Sequence, residues 1–154
     1  MLSIRPWQPS DSEALSALYE ASVRGLGARD YSAAQIEAWA SLTPTAETLT
    51  GRMQDGRTRL VAITDATVGF IDLEADGHID LLYVSPAAAG QGVARTLLET
   101  AEALAPLSGA ARLYAEASET ARPVFERLGF AVVARRDFEV AGVAIHNWAV
   151  EKPL

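Results

Sequence analysis

The chain has 154 residues, 49% of them hydrophobic and 21% charged, with a formal net charge of −7 and no cysteine. That length gives one domain, residues 1–154, with enough chain to bury a core of its own. The acidic balance argues against a nucleic-acid surface, which needs clustered Lys and Arg. Without cysteine, disulfides, a thiolate nucleophile and a cysteine-based metal site are excluded. The start Met1-Leu2-Ser3-Ile4-Arg5 lacks the basic and apolar regions of a signal peptide, and no apolar run approaches a membrane span. A cytoplasmic protein without membrane contact is the expectation.

Residues 2–5 alternate apolar and polar and predict a short strand that stops at Pro6. Ser10-Asp11-Ser12-Glu13 has the spacing of a capping box and opens a helix with Leu15, Leu18, Tyr19 and Val23 on one face. Gly25 and Gly27 read as its end. A second box, Ser32 to Gln35, starts a short helix carrying Ile36 and Trp39. Thr43-Pro44 starts a third, through Leu49 and Met53 to an Asp55-Gly56 turn. Strands 60–64, 68–74 and 78–84 follow, joined by turns at Asp65-Ala66 and Ala75-Asp76-Gly77 into an antiparallel meander.

Residues 93–105 repeat apolar side chains at helical spacing until Pro106. Then come a strand at 113–117, a helix at 121–128 capped by Gly129, and a hairpin of 130–140 with 143–150 around Ala141-Gly142. This order gives an α+β fold: a mixed, mostly antiparallel twisted sheet flanked by helices. The helical crossover from strand 78–84 to strand 113–117 makes those two parallel. They are expected to splay apart at their ends and leave a cleft.

The stretch from Tyr83 to Arg95 reads as a strand end, a small-residue loop and the first turn of a helix. Gly90, Gly92 and Ala94 allow a ligand to approach the main chain, whose unpartnered N–H groups attract a phosphate or pyrophosphate. A Walker loop is absent, since no Gly-Lys-Ser/Thr occurs. A dinucleotide fingerprint beginning at Gly90 puts Arg95 at its third glycine place, with Glu116 a loose acidic partner.

With this element order and loop, the chain resembles the GNAT superfamily of acetyl-CoA-dependent N-acyltransferases over essentially its whole length. Val84-Ser85-Pro86 followed by Ala89-Gly90-Gln91-Gly92-Val93-Ala94 is similar to the family's Q/R-x-x-G-x-G/A loop. Ser118-Glu119-Thr120-Ala121 followed by Phe125-Glu126-Arg127-Leu128-Gly129-Phe130 is similar to its second motif. Tyr31 to Ala40 and Gly142 to Asn147 resemble, more finely, a small bacterial YafP-like branch.

The resemblance implies a GNAT-like sheet with splayed central strands and acetyl-CoA as co-substrate, with no metal. It implies acetyl transfer to a primary amine of a small molecule or peptide. Leu82, Tyr83 and Val84 would pair with the pantetheine arm, and the Val84 N–H would polarise the thioester carbonyl. Ala89, Gly90, Gln91, Gly92, Val93, Ala94 and Arg95 would hold the pyrophosphate. Ser118 and Phe125 would line the arm, and Arg127 or Arg122 would meet a coenzyme A phosphate. Three positions depart from the family. Ala89 replaces an Arg or Gln, Ser118 an Asn, and Phe125 the Tyr that protonates the departing thiolate.

That missing acid is tolerable, because a thiol near pKa ~8.5 leaves as a thiolate. The acceptor is the larger problem: an alkylamine near pKa ~10.4 is about 4 kcal/mol from its neutral form at pH 7. A base is therefore expected. Strand period two puts Asp80 on one face with Leu82 and Val84, where it would bind or deprotonate the amine. Its plainer reading is a carboxylate bonded to neighbouring strand or turn groups. Asp72 and Glu74 are alternative bases or solvated edge carboxylates.

Tyr83 and Ser118 are the hydroxyls nearest the vacant acid role. His146 and Asn147 close the acceptor side in the family, where His146 reads as a surface or core histidine before a base; Tyr31, Trp39 and Trp148 form an aromatic wall there or belong to the core. Two histidines give no metal spacing. With no cysteine for an acyl-enzyme, direct attack in a ternary complex is the expected route. The alternative is a catalytically degenerate module that binds acyl-CoA as a sensor. The acceptor is not named by any motif, and the strand-rich C-terminal edge could pair with a second copy.

Overall fold

Seven strands build one sheet: β1 (Ser3–Pro6), β2 (Thr58–Ile63), β3 (Thr67–Leu73), β4 (His78–Val84), β5 (Arg112–Ala117), β6 (Ala131–Val140) and β7 (Val143–Pro153). Their spatial order is β1-β2-β3-β4-β5-β7-β6. The structure is a computed structural model and describes residues 1–52 and 56–154. All neighbours pair antiparallel except β4 and β5, which are parallel as the crossover requires. Helices α1 (Ser12–Leu26), α2 (Ala33–Ala40) and α3 (Ala46–Gly51) cover one face. Helices α4 (Val93–Leu104) and α5 (Arg122–Arg127) cover the other.

Each face has its own core, and the central strands serve both. Leu60 and Ala62 of β2 pack with α4, whereas Val61 between them packs with α1. This explains the unbroken apolar run in that strand, since a strand buried on both faces has no polar side. Among the described residues, no helix is long and apolar enough to cross a membrane.

Local chemistry fixes most element ends, with three differences from expectation. The Ser32 box forms as read: Gln35 N–H donates to Ser32 Oγ at 3.2 Å and Ser32 N–H to Gln35 Oε1 at 2.9 Å. The first box does not centre on Ser10. A 3-10 turn, Pro9–Asp11, precedes α1, and Asp11 accepts from Gln8 N–H at 2.7 Å and from Arg5 at 2.8 Å. Buried Asp11 has two partners before the helix starts, and that displaces the cap.

Gly27 does cap the end of α1, with a right-handed backbone (φ −64), but Gly25 does not end it. Gly25 lies inside the helix, where a Cβ would sit 2.6 Å from Pro86 Cγ. It is small because the phosphate-loop strand end crosses it. The third helix starts at Ala46, capped by Thr45, whose Oγ1 accepts from Thr48 N–H at 3.1 Å. The end expected at Met53 and the Asp55 turn lies outside the described residues.

Two features of β4 set up everything downstream. Its parallel pairing with β5 lasts only for His78 with Tyr114 and Ile79 with Ala115. Beyond these, β4 stays with β3 (Leu82 opposite Ile71, Val84 opposite Gly69) while β5 stays with β7 (Ala117 opposite Trp148). The strands part, as expected. Second, Asp72 faces Leu81 but Leu73 faces Ile79, so Asp80 is the extra residue of a β-bulge.

The bulge resets the alternation of side chains. Ile79, Leu82 and Val84 pack toward α4, and Leu81 and Tyr83 toward α1. Asp80 shares the arginine partners of Asp72, a neighbour of Phe70 on the α1 side. The expectation that Asp80 shares a face with Leu82 and Val84 is therefore incorrect, because period two does not survive an inserted residue.

His78 sits at the vertex where the strands divide. Its Nδ1 is 2.7 Å from Glu74 and its Nε2 2.8 Å from Glu116 on β5. Burial opposes the charged imidazole, but the two carboxylates outweigh it and raise the His78 pKa. A raised pKa means that the clamp stabilises the fold fully at low pH. Its contribution is lost as pH rises through the folded-state value. In thermal melts, His78→Gln should therefore fall below the native protein by about 2–4 °C near pH 6. That gap should narrow by pH 9, and a constant gap would contradict the clamp.

Candidate active site

Where β4 and β5 separate, a cleft of 940 Å³ passes through the sheet. Its walls come from β4, the loop before α4, α5, the tip of β7 and the α1–α2 region. The coenzyme and acceptor residues named from the sequence therefore meet in one space, with Trp148, Gln91 and Arg122 outside its lining.

The loop before α4 turns on two glycines, Gly90 (φ 76) and Gly92 (φ 81), and Gly92 is the N-cap. A Cβ at either would meet nothing within 4 Å, so glycine is required for its left-handed backbone rather than for space. The first helical bond runs from Thr96 N–H to the Gly92 carbonyl at 3.0 Å. Among the described residues, nothing accepts from the main-chain N–H of Gly92, Val93, Ala94 or Arg95. Gln91 is the exception in the expected set. Its N–H points to the Ala88 carbonyl at 3.4 Å, and its side-chain amide folds back to Ala87 at 3.4 Å. Four adjacent donors at a helix start, with the positive end of its dipole, suit a diphosphate. Arg127 is exposed nearby at the cleft and has no ion pair among the described residues. Arg122 turns away to Glu119 at 2.8 Å and lies 4.5 Å from the Trp148 ring centre.

Along β4, Leu82 and Val84 border the cleft, and the edge facing β5 has no strand partner beyond Ile79. That edge is open to pairing with an extended ligand. Ser118 Oγ accepts from Ala121 N–H at 3.0 Å, which leaves the hydroxyl proton able to donate. Phe125 is buried with its ring 4.9 Å from Phe130, a core contact at the cleft wall.

Tyr83 points to the other face and packs on Tyr19 (4.1 Å between ring centres), Phe70 (5.9 Å) and Trp39 (6.5 Å). Burial, then the neighbouring Tyr19, pushes the Tyr83 hydroxyl well above its ordinary pKa. A phenol that holds its proton more tightly than usual is a poorer acid for a thiolate.

The carboxylates are engaged. Asp80 Oδ2 lies 2.7 Å from Arg57 and 3.2 Å from Arg52, so the carboxylate is paired with two guanidinium groups that favour its charged form and weaken it as a base. Asp72 is not a solvated edge group: it is 0% exposed, 3.2 Å from Arg57 and 3.7 Å from Arg59. Burial raises its pKa, and Arg57 and Arg59 pull against that shift. Glu74 serves His78. Ligand atoms of Glu74, His78 and Asp80 come within 4.8 Å of one another, but both imidazole nitrogens face carboxylates and Asp80 faces its arginines. Ion pairing already accounts for that cluster.

At the acceptor end, Tyr31 bridges two elements. Its hydroxyl donates to the His146 carbonyl at 2.9 Å and accepts from Glu119 N–H at 2.8 Å. Its ring packs 5.3 Å from Trp39 and 5.7 Å from His146. Asn147 accepts from Arg136 at 3.2 Å. Glu119 was not singled out by the sequence reading, yet it gathers His146 Nε2 and Arg122, each at 2.8 Å, and Trp148 Nε1. The Trp148 bond, then His146, holds its pKa below the usual carboxylate range. The available signal was His146 and Trp148 at strand spacing, both aimed at the loop where Glu119 follows β5.

Residues 27–152 match the Acetyltransferase (GNAT) domain family. The uncharacterized N-acetyltransferase YafP of Escherichia coli strain K12 is 31% identical over 147 residues, covering 96% of this chain and 93% of YafP. A GCN5-related N-acetyltransferase structure from Rhodopseudomonas palustris is 35% identical with a TM-score of 0.90, covering 99% of this chain and 95% of that one. PaiA N-acetyltransferase from Thermoplasma acidophilum, in complex with coenzyme A, is 23% identical with a TM-score of 0.79, covering 100% and 99%.

The carboxylate geometry has a direct consequence. Asp80→Asn removes one of the two carboxylates that Arg57 and Arg52 share, so it should cost stability of about 1–3 kcal/mol, or several °C in Tm. Affinity for acetyl-CoA, measured by calorimetry, should change less than about threefold, since Asp80 touches no part of the phosphate loop. A large loss of turnover at unchanged Tm would instead restore Asp80 as the base.

Proposed function

The chain belongs to the GNAT acetyltransferase family, and on that premise we propose a specific transfer. It moves the acetyl group of acetyl-CoA to a primary amine of a small molecule or peptide, by direct attack in a ternary complex. One observation carries this reading: four unpartnered amides at 92–95 and the unpaired edge of β4 open into the same 940 Å³ cleft. The first suits a diphosphate, the second an extended pantetheine arm. The coenzyme A held by the Thermoplasma relative supports the same donor here.

In this reading the loop amides and Arg127 bind the phosphates, and the arm lies along Leu82 to Val84. The Val84 N–H polarises the thioester carbonyl as charge develops on its oxygen. The amine nitrogen forms the new C–N bond, and the C–S bond breaks to release a thiolate. Because a free thiol ionises near ~8.5, full protonation of the leaving group is unnecessary. Phe125 in place of a hydroxyl is then acceptable, with Ser118 the nearest donor.

The test is release of free coenzyme A thiol from acetyl-CoA across an amine panel, beside calorimetric binding of acetyl-CoA. Turnover with at least one amine is expected. In Gly92→Val a β-branched residue must adopt the left-handed conformation, a cost of about 1–2 kcal/mol. The Kd for acetyl-CoA should rise about tenfold or more, since tenfold corresponds to ~1.4 kcal/mol. Binding without thiol release on any amine would favour a sensor. Absence of binding would remove both readings.

A further inference from the structure

We infer that His146 accepts the proton of the attacking amine and that Glu119 and Tyr31 are its positioning residues. The inference rests on the acetyl-transfer reading above and supplies the base that Asp80, with two guanidinium partners, does not provide.

Strand register places His146 at the reacting end of the cleft. Ile79 is level with Ala115, and Ala117 is level with Trp148. Two residues beyond Trp148 on β7 stands His146, at the end of the sheet where β4 and β5 are no longer paired. His146 and Val84 line the same cleft.

The imidazole is oriented, not merely present. Its Nε2 donates to Glu119 Oε2 at 2.8 Å, which fixes the lone pair on Nδ1. Among the described residues, no group bonds to Nδ1. Trp148 Nε1 also donates to Oε2 and Arg122 to Oε1, so both carboxylate oxygens of Glu119 are anchored. Tyr31 bonds the backbone of both partners, His146 through its carbonyl and Glu119 through its N–H. The other charged groups near this ring have partners of their own. Asp137, opposite His146 on β6, pairs with Arg135 at 3.1 Å, and Arg136 with Asn147 at 3.2 Å.

The step balances. The nitrogen lone pair forms the C–N bond, the C–S electrons leave with sulfur, and the proton on nitrogen passes to Nδ1. Glu119 neutralises the imidazolium, which then returns the proton to the thiolate or to water.

The experiment measures kcat/KM from pH 6 to 10 for the best amine of the panel, with acetyl-CoA affinity and Tm recorded for each protein. His146→Gln should lose about 10²-fold at pH 7. Its affinity for acetyl-CoA should stay within about threefold, and its rate should climb with pH toward the amine's own ionisation. Glu119→Gln should lower kcat with KM and acetyl-CoA affinity nearly unchanged, because the imidazole loses the partner that orients it. Tyr31→Phe should lower kcat with little change in KM. The inference is overturned if His146→Gln keeps the native pH profile, or if its loss merely follows lost acetyl-CoA binding. A native enzyme that binds acetyl-CoA but never releases thiol overturns the transfer reading itself, a separate result.

Discussion

Everything in this fold depends on two parallel strands that stay together for only two residue pairs, His78 with Tyr114 and Ile79 with Ala115. A sheet interior normally satisfies each main-chain group with the next strand. Here β4 and β5 keep their outer partners and give up each other, which exposes a row of donors and acceptors in the middle of the protein. Such an opening is stable only if the vertex is fastened and both faces are covered. Glu74, His78 and Glu116 fasten it, and two separate cores cover the faces.

In the proposed complex the opening makes binding rely mainly on main chain. Loop amides and a strand edge do not change with side-chain substitution, so Ala89 and Ser118 can depart from the family pattern without removing the donors. Charge is kept elsewhere. The bulge at Asp80 turns its carboxylate to the arginines it shares with Asp72, on the face away from Leu82 and Val84. A carboxylate in that network holds the α3 end against the sheet.

How much of this was legible in the sequence depended on range. Ser32 with Gln35, the Gly90 and Gly92 loop, and the Ala141-Gly142 turn (φ 51 and 77) are local, and their chemistry reads directly. The parallel pairing of β4 and β5 followed from the crossover order, whereas nothing in the spacing shows where they part. What escaped was set by distant partners. Nothing near Asp80 announces a bulge, because the inserted residue is defined against β3. Asp72 reads as an edge carboxylate until Arg57 and Arg59 are seen beside it. Glu119 lies inside a recognised motif, yet its role exists only once a hairpin 27 residues later brings His146 to it.

These constraints also explain which chemistry the protein can omit. A phenol acid is dispensable when the leaving group is a thiolate that is stable near neutral pH, so Phe125 can join Phe130 in the core. The amine proton has no such escape, because its ionisation lies about three units above neutrality. Selection on this site should therefore fall on whatever takes that proton. The polar cluster at the open end holds a bridging tyrosine, a carboxylate with three side-chain donors, and an imidazole that lines the cleft. The cluster ties the loop after β5 to β7 and to Tyr31, beside the opening rather than across it. In the proposed mechanism the same bonds orient the imidazole. On that proposal stability and proton transfer draw on one set of contacts, and a substitution there disturbs both unless it keeps the shape.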